Sequence, residues 1–363
     1  YIHHEQDERN LIQSGQQFFG AYFDVRTSRS FDFNFPNILR DQPVSAEMRF
    51  ISRSAAPGTA TLSYGDQQVT ELEIPPVTYN FTGYYARSGK GQGQFTPAGD
   101  DLSLRVDYQK GTPSAEGWLD YITVNATRAL EMAGDQMHFR HRAGGEPEVV
   151  ALDLTGAREG LRIWEVTDDH SVSRVARWDQ DGDTRRFRIR GDTSLREFIA
   201  FYPQQALEPA FMGEVDPQNL HGLEPQDMMI VTKERFRRQA EKLADLHRKR
   251  EGFRVGIATD REIYNEYSSG KPDPAAIRNF LRMLYGRSTP RDSLKYLLLL
   301  GDGSYDNRNS GDSPFLMTYQ SKQSLHYARS FVSDDFFGLL DPGDHVERSP
   351  SGLIDLGIGR FPV

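Results

Sequence analysis

The densest grouping of oxygen-bearing side chains in the sequence is Asp302-Gly-Ser-Tyr-Asp306-Asn307, which follows directly on the apolar run Tyr296 to Leu300. Glycines at 301 and 303 allow a tight backbone path, and Asp302, Ser304, Asp306 and Asn307 could offer oxygens to a hard cation such as calcium. An EF-hand loop, however, wants Gly where Asn307 stands and Glu where Ser313 stands. A strand exit capped by Asx turns is the simpler reading, with Asp302 and Asp306 kept as candidate calcium ligands behind it. Asp179-Gln-Asp-Gly-Asp183 also gathers acids, but Gly182 comes one place too early for the Asp-x-Asp-x-Asp-Gly pattern. A hairpin turn is expected there instead.

Nucleophiles and phosphate loops find little support. Ser304 lacks the Gly-x-Ser-x-Gly elbow, because Asp302 and Asp306 occupy the glycine positions. No Gly-x-Gly-x-x-Gly turn follows Val231, and no Walker-type Lys-Ser/Thr loop occurs. His138 and His141 fall in a β-like run and read as surface or packing residues, and His247 falls on an apolar helix stripe. The sequence has no cysteine, so these residues supply no disulfide, no thiolate metal ligand and no thiol nucleophile. Freedom from cysteine suits an exported protein and many cytosolic ones alike.

The elements that must position these groups are those of a soluble, multidomain protein. At 363 residues, two or three cores are the natural prior. A hydrophobic share of 37% and a charged share of 26% fit globular domains. No apolar run approaches the roughly 20 residues that cross a bilayer. The net charge of −9, with basic residues scattered among acids, argues against nucleic acid as a partner. Tyr1 is not an initiator Met and the last residues interrupt a strand-like run, so both ends are expected to be cut.

Residues 1–131 alternate aromatic and polar residues between Gly, Pro, Asn and Asp turns, as at Phe31 to Phe35, Ala46 to Ile51, Ala60 to Tyr64, Leu102 to Tyr108 and Trp118 to Val124. That pattern predicts an antiparallel β-sandwich, with the glycine-rich stretch Ser88 to Gly93 as a loop. Residues 132–206 read as a small β-rich module with strands near Glu148 to Leu154, Leu161 to Val166, Val172 to Trp178 and Arg185 to Ile189. From residue 207 to 363 the period changes. Continuous apolar runs at Met228 to Val231, Phe253 to Thr259, Tyr296 to Leu300 and Leu353 to Ile358 mean strands buried on both faces. Between them lie a helix over about Lys233 to Arg250, with Thr232 as N-cap and a stripe of Phe236, Ala240, Leu243, Ala244 and His247, and a second helix capped by Asp273 before Pro274. This β-α-β-α-β order predicts a parallel sheet whose carboxyl ends face a ligand.

Several segments in order resemble the gingipain-like cysteine peptidases. They are Asp227-Met-Met-Ile-Val-Thr232, Arg238-Gln-Ala-Glu-Lys-Leu-Ala-Asp245, Ile263-Tyr-Asn-Glu-Tyr-Ser-Ser-Gly270, Asp273-Pro-Ala-Ala-Ile-Arg278, Tyr296 to Asp306, Ser333-Asp-Asp-Phe-Phe-Gly338 and Asp355-Leu-Gly-Ile-Gly-Arg-Phe-Pro-Val363. The likeness is nearest to the sortase branch of the type IX secretion system of Bacteroidota, where a motif like Trp118-Leu-Asp-Tyr-Ile-Thr-Val-Asn125 also lies upstream. The resemblance implies antiparallel β-sandwich modules followed by a partial caspase-like α/β domain with a mostly parallel sheet. It also implies a Gly-His-Gly histidine that activates a cysteine, both lying beyond Val363. A thiolate and imidazolium need a carboxylate to orient the histidine. The resemblance puts Asp355 in that role, with Asp334, Asp335 and Asp344 as alternates for it or for shaping the cleft.

The same resemblance implies a full-length enzyme at the cell surface, associated with the outer membrane. It would remove C-terminal sorting domains from secreted proteins and transfer them to anionic lipopolysaccharide, beside an outer-membrane β-barrel carrier protein. No cofactor is required, calcium being a candidate ligand only, and this chain alone is expected to be inactive. The competing reading is a non-catalytic surface scaffold or binding protein on a caspase-like fold.

Overall fold

The computed structural model describes residues 1–142, 149–191, 194–289, 292–309, 314–347 and 352–363. Two antiparallel sheets form the first module. One carries Ile2–Glu5, Glu116–Asn125, Val44–Arg53 and Arg87–Phe95 in that spatial order; the other carries Ser28–Asn34, Asp101–Gln109, Gly58–Tyr64 and Gln67–Ile74. Strict alternation along these strands sends Val44, Ala46, Met48 and Phe50 from one sheet, and Leu102, Leu104, Val106 and Tyr108 from the other, into a shared core. The stretch Ser88 to Gly93 is not a loop: it is the middle of the edge strand Arg87–Phe95, paired along its length with Val44–Arg53. Its glycines are set by the facing sheet. A Cβ on Gly91 would lie 2.5 Å from Leu72 Cδ2, and one on Gly93 would lie 1.8 Å from the Val69 carbonyl oxygen.

In the second module, Leu195–Phe201 pairs on one side with Gln136–Arg142 and on the other with Arg162–Glu165. The sequence reading missed this central strand. A second small sheet pairs Val149–Leu154 and Asp179–Asp181 with Thr184–Arg190, the chain reversing at Gly182 with φ +56 as the acid-rich turn predicts. Glu148, expected to open the Val149 strand, lies outside the described residues. The expected strand Val172 to Trp178 shrinks to Ser173–Arg174, because Val172 is solvent-exposed and only Val175 and Trp178 lean on the core.

The α/β half is built on four parallel strands: β1 (Met228–Thr232), β2 (Val255–Thr259), β3 (Tyr296–Leu300) and β4 (Gly357–Phe361), in the order β2-β1-β3-β4. Even-numbered residues Met228, Ile230, Leu298 and Leu300 pack on Ala240 and Ala244 of α1 (Arg237–Arg250). Odd-numbered Met229, Val231, Leu297 and Leu299 pack with Ile263 and Tyr264 of α2 (Asp260–Tyr267) and with Ile277, Phe280, Leu281 and Leu284 of α3 (Pro274–Gly286). Burial on both faces is what made these strands continuous apolar runs.

Three boundaries differ from the sequence reading. Residues Glu234–Phe236 make a 3-10 turn before α1, and Thr232 does not cap it; the buried Thr232 hydroxyl donates to the Leu300 carbonyl at 2.9 Å instead. The missed helix α2 follows β2 without a loop and is closed by a capping box in which Thr259 and Glu262 bond reciprocally. The fourth strand begins at Gly357, since pairing with Tyr296 sets its start, and Leu353 and Ile354 precede it exposed to solvent. Asp273 does cap α3, accepting from Ala275 N at 2.7 Å.

Candidate active-site edge

Parallel register brings Thr259, Thr232, Leu300 and Phe361 abreast at the carboxyl ends of the sheet. The strands β1 and β3 are neighbours whose connections leave in opposite directions, the topology at which open α/β sheets place a ligand crevice outside the carboxyl ends. At one side of it, Lys233 Nζ meets Asp260 Oδ2 at 2.7 Å, with both side chains under a tenth exposed. Burial raises the Asp260 pKa, and the Lys233 ammonium opposes that shift. The nearby Tyr264 hydroxyl is buried with no hydrogen-bond partner, and burial, with Asp260 beside it, pushes its pKa upward.

Arg360, near the end of β4, organises the other side. Its Nε donates to Asp334 Oδ2 at 2.8 Å and its Nη2 to Asp334 Oδ1 at 2.6 Å. Its Nη1 donates to the carbonyls of Gly301 and Asp302 at 3.0 and 3.3 Å, and Nη2 reaches the Met317 carbonyl at 3.5 Å. One planar fork thus joins the exit of β3, the segment at 317 and the segment at 334. The sequence reading ranked Asp334 only as an alternate and used Arg360 only as a landmark; no local pattern signals a bond across 26 residues.

The exit of β3 is a set of short turns. Asp302 Oδ1 accepts from Gly303 N at 2.7 Å, and the Ser304 hydroxyl accepts from Asp306 N at 3.0 Å, so Ser304 caps a turn. Both Asp306 oxygens accept from the Arg308 fork, at 2.8 and 2.7 Å, which lowers the Asp306 pKa. No metal-spaced group of three among the described residues includes Asp302 or Asp306, and Ser313 lies outside the described residues. The one metal-spaced group among the described residues is Asp341, Asp344 and Asp355, with oxygens within 4.8 Å of one another.

Asp355 sits before the first residue of β4, at the amino-terminal end of the sheet. Its carboxylate accepts from the Tyr285 hydroxyl at 3.1 Å and from Leu340 N at 2.9 Å. Six residues of extended chain separate it from the carboxyl-end row, on the order of 20 Å. Asp335 is exposed, and Asp344 Oδ2 accepts from Asp341 N at 3.1 Å. His247 bonds Glu251 at 3.0 Å and stacks on Phe253, a packing role. His138 is exposed on Gln136–Arg142, away from any metal-spaced group.

The first module grips the same edge. Gly15 N donates to Gln320 Oε1 at 3.1 Å, Gln16 N to the Ser321 carbonyl at 2.9 Å, and Gln17 N to Ser324 Oγ at 2.8 Å. Leu325, 3% exposed, plugs a cluster of Phe19, Ile51, Ala86 and Trp118 on the outer face of the sandwich. Asn10 folds the gripping loop: its Nδ2 donates to the Ser14, Gly15 and Gln17 carbonyls and its Oδ1 accepts from Ser14 N. Arg308, which holds Asp306, also lies over the Phe18 ring at 3.5 Å. Neither grip nor hub was readable locally, because both join residues far apart in sequence.

Comparison with known proteins now places this architecture. Residues 221–363 match the family model for Peptidase family C25. A search of the curated proteins returns no match. Among solved structures, the crystal structure of dimeric latent PorU from Porphyromonas gingivalis superposes with a TM-score of 0.83 at 25% identity, over 100% of this chain and 36% of that one. The chain thus spans about a third of the PorU chain it matches. The carbohydrate-binding module CBM36, in complex with calcium and xylotriose, aligns with 34% of this chain and 100% of its own at 13% identity and a TM-score of only 0.24. Residues 221–363 are thus similar to Peptidase family C25, and the chain as a whole, β modules included, has the fold of PorU.

Proposed function

We propose that this chain is the front portion of a cell-surface cysteine endopeptidase and transpeptidase, a sortase of the type IX secretion system. The observation that carries this reading is the likeness to PorU over the full chain, with the family C25 segment at its end. The full-length protein removes C-terminal sorting domains from secreted proteins. A cysteine thiolate, from residues outside this chain, attacks the carbonyl before the sorting domain; the C–N bond breaks, a histidine protonates the departing amine, and a thioester remains. An amine of anionic lipopolysaccharide then attacks the thioester, forming an amide and returning the thiolate. The enzyme works at the outer-membrane surface beside a β-barrel carrier protein. No described helix is long and apolar enough to cross a membrane.

In this reading the Arg360 hub and the Gly301–Gly303 exit form the floor of the cleft, and the chain alone is inert. The test is to incubate the full-length protein with a secreted protein bearing its sorting domain and an amine acceptor. Mass spectrometry should find the released domain and the remaining carboxyl end in amide linkage to the acceptor. Intact substrate overturns the reading; cleavage with a free carboxylate alone reduces it to a peptidase.

A further inference from the structure

A cavity of about 720 Å³ opens where the end of the sandwich meets the second module. Its wall includes Arg128, Arg140, Arg142, His138 and His141, and no Asp or Glu among the described residues lines it. That is not drift of composition, since the protein carries 52 acids against 43 Lys and Arg. Elsewhere arginines sit in tight carboxylate forks, as in Arg186 with Asp153 or Arg254 with Asp227. Here the pairing is thin. Arg142 is exposed with no ion-pair partner among the described residues, and His141 Nε2 is buried with no hydrogen-bond partner. Arg140 lies over the Tyr1 ring, donates to Asn125 Oδ1 at 3.1 Å and reaches Glu197, outside the wall, only at 3.6 Å. Arg128 is anchored by the Pro36 carbonyl at 2.6 Å, and burial lowers its pKa although Asp100 acts against that shift.

Like charges gathered on low-dielectric walls focus a positive potential that an anion relieves. The volume falls in the range of small-ligand sites, and a junction of modules is where such sites occur. Guanidinium forks fit the oxygens of phosphate. We propose that this cleft binds a phosphate ester carried on a polar body, the phosphate held by Arg140 and Arg142, which share one face of the strand Gln136–Arg142. The proposal stands apart from the carboxyl edge and from the sortase reading.

Calorimetric titration of the 363-residue chain with inorganic pyrophosphate tests it. The expected result is saturable binding that weakens at least about tenfold in Arg140→Ala/Arg142→Ala, since the charge-assisted forks to the anion are lost. His141→Gln, on the opposite face of the strand, and Lys242→Ala, on the exposed face of α1, should leave it unchanged. Competition by glucose 6-phosphate identifies a saccharide source. Retention by phosphatidylcholine vesicles containing phosphatidic acid, without that competition, identifies a lipid headgroup. Absence of pyrophosphate binding, equal weakening by Lys242→Ala, or preference for an oligoglutamate peptide overturns the proposal.

Discussion

Arg360 and Asp334 face each other through two parallel hydrogen bonds of 2.8 and 2.6 Å, and the rest of the Arg360 fork holds the carbonyls of Gly301, Asp302 and Met317. This single side chain, 13% exposed, joins three segments that share no regular secondary structure. A lysine at the same place keeps the charge but cannot form the fork.

Arg360→Lys should therefore lower the stability of the α/β half by about 2–4 kcal/mol, the cost of leaving charged and carbonyl partners unsatisfied. Urea unfolding measures it. Hydrogen exchange should rise at Gly303 and Leu316, flanking the held carbonyls, and not in the sandwich. A loss under about 0.5 kcal/mol would mean that the hub is only a surface pair.

The grip of the first module gives a second expectation. Gly15 has φ +82, and a Cβ there would lie 2.3 Å from both the Gln323 carbonyl oxygen and Ser324 Oγ. Gly15→Val should detach the loop from residue 318 to 331, making it sensitive to limited proteolysis while the sandwich stays resistant. Leu325→Ala, which leaves a cavity among Phe19, Ile51 and Trp118, should do the same at a cost of about 2–4 kcal/mol. Unchanged proteolysis in both variants would mean the contact is passive.

Glycine positions in the edge strand separate cross-sheet packing from local flexibility. Gly93→Ala places a methyl against the Val69 carbonyl and should destabilise the sandwich by more than ~3 kcal/mol or prevent folding. Gly99→Ala meets nothing within 4 Å and should be neutral within about 0.5 kcal/mol. Thermal melts of the two variants decide, and equal melts would contradict the packing argument.

Acid should loosen the join between residues 218–221 and α2. Burial raises the Glu266 pKa, but bonds from Leu220 N, Gln218, His221 and His221 N outweigh it and hold the carboxyl down at about 2. A depressed folded pKa means stability present above the unfolded value, near 4.5, and lost as pH falls toward 2. The loss should approach about 3 kcal/mol. Glu266→Gln should be less stable at pH 7 and show a flatter profile over that window. A variant with the same acid slope as the parent would assign the slope elsewhere.

Asp355 carries two possible roles with opposite signatures in the full-length enzyme. An orienting carboxylate would lose turnover on Asp355→Asn without losing stability. Its bonds to Tyr285 and Leu340, at the amino end of β4, predict the reverse: stability falls by about 1–2 kcal/mol and turnover changes only as far as folding does. Urea midpoints and kcat measured together separate the two.

What the sequence conveyed followed from locality. Met228–Thr232 and Tyr296–Leu300 announced themselves because both faces are buried, and Asp273-Pro274 carried its cap within three residues. The helix α2 was readable too, since Thr259 and Glu262 have capping-box spacing, but the apolar run ahead of it drew the strand reading alone. The glycine strand was misread because its reason lies across the sandwich, at Val69 and Leu72. Leu195–Phe201 shows weak alternation, with partly buried residues on both faces, and so gave little period to detect. Arg360 with Asp334 and Gly15 with Gln320 exist only once the chain has folded.

The most direct measurement is thiol dependence. The 363-residue chain and the full-length protein would each be given a sorting-domain substrate, with and without iodoacetamide. The account predicts cleavage by the full-length protein, abolished by alkylation, and none by the chain alone, which has no cysteine. Alkylation-insensitive cleavage by the full-length protein, or turnover by the chain alone, would contradict it.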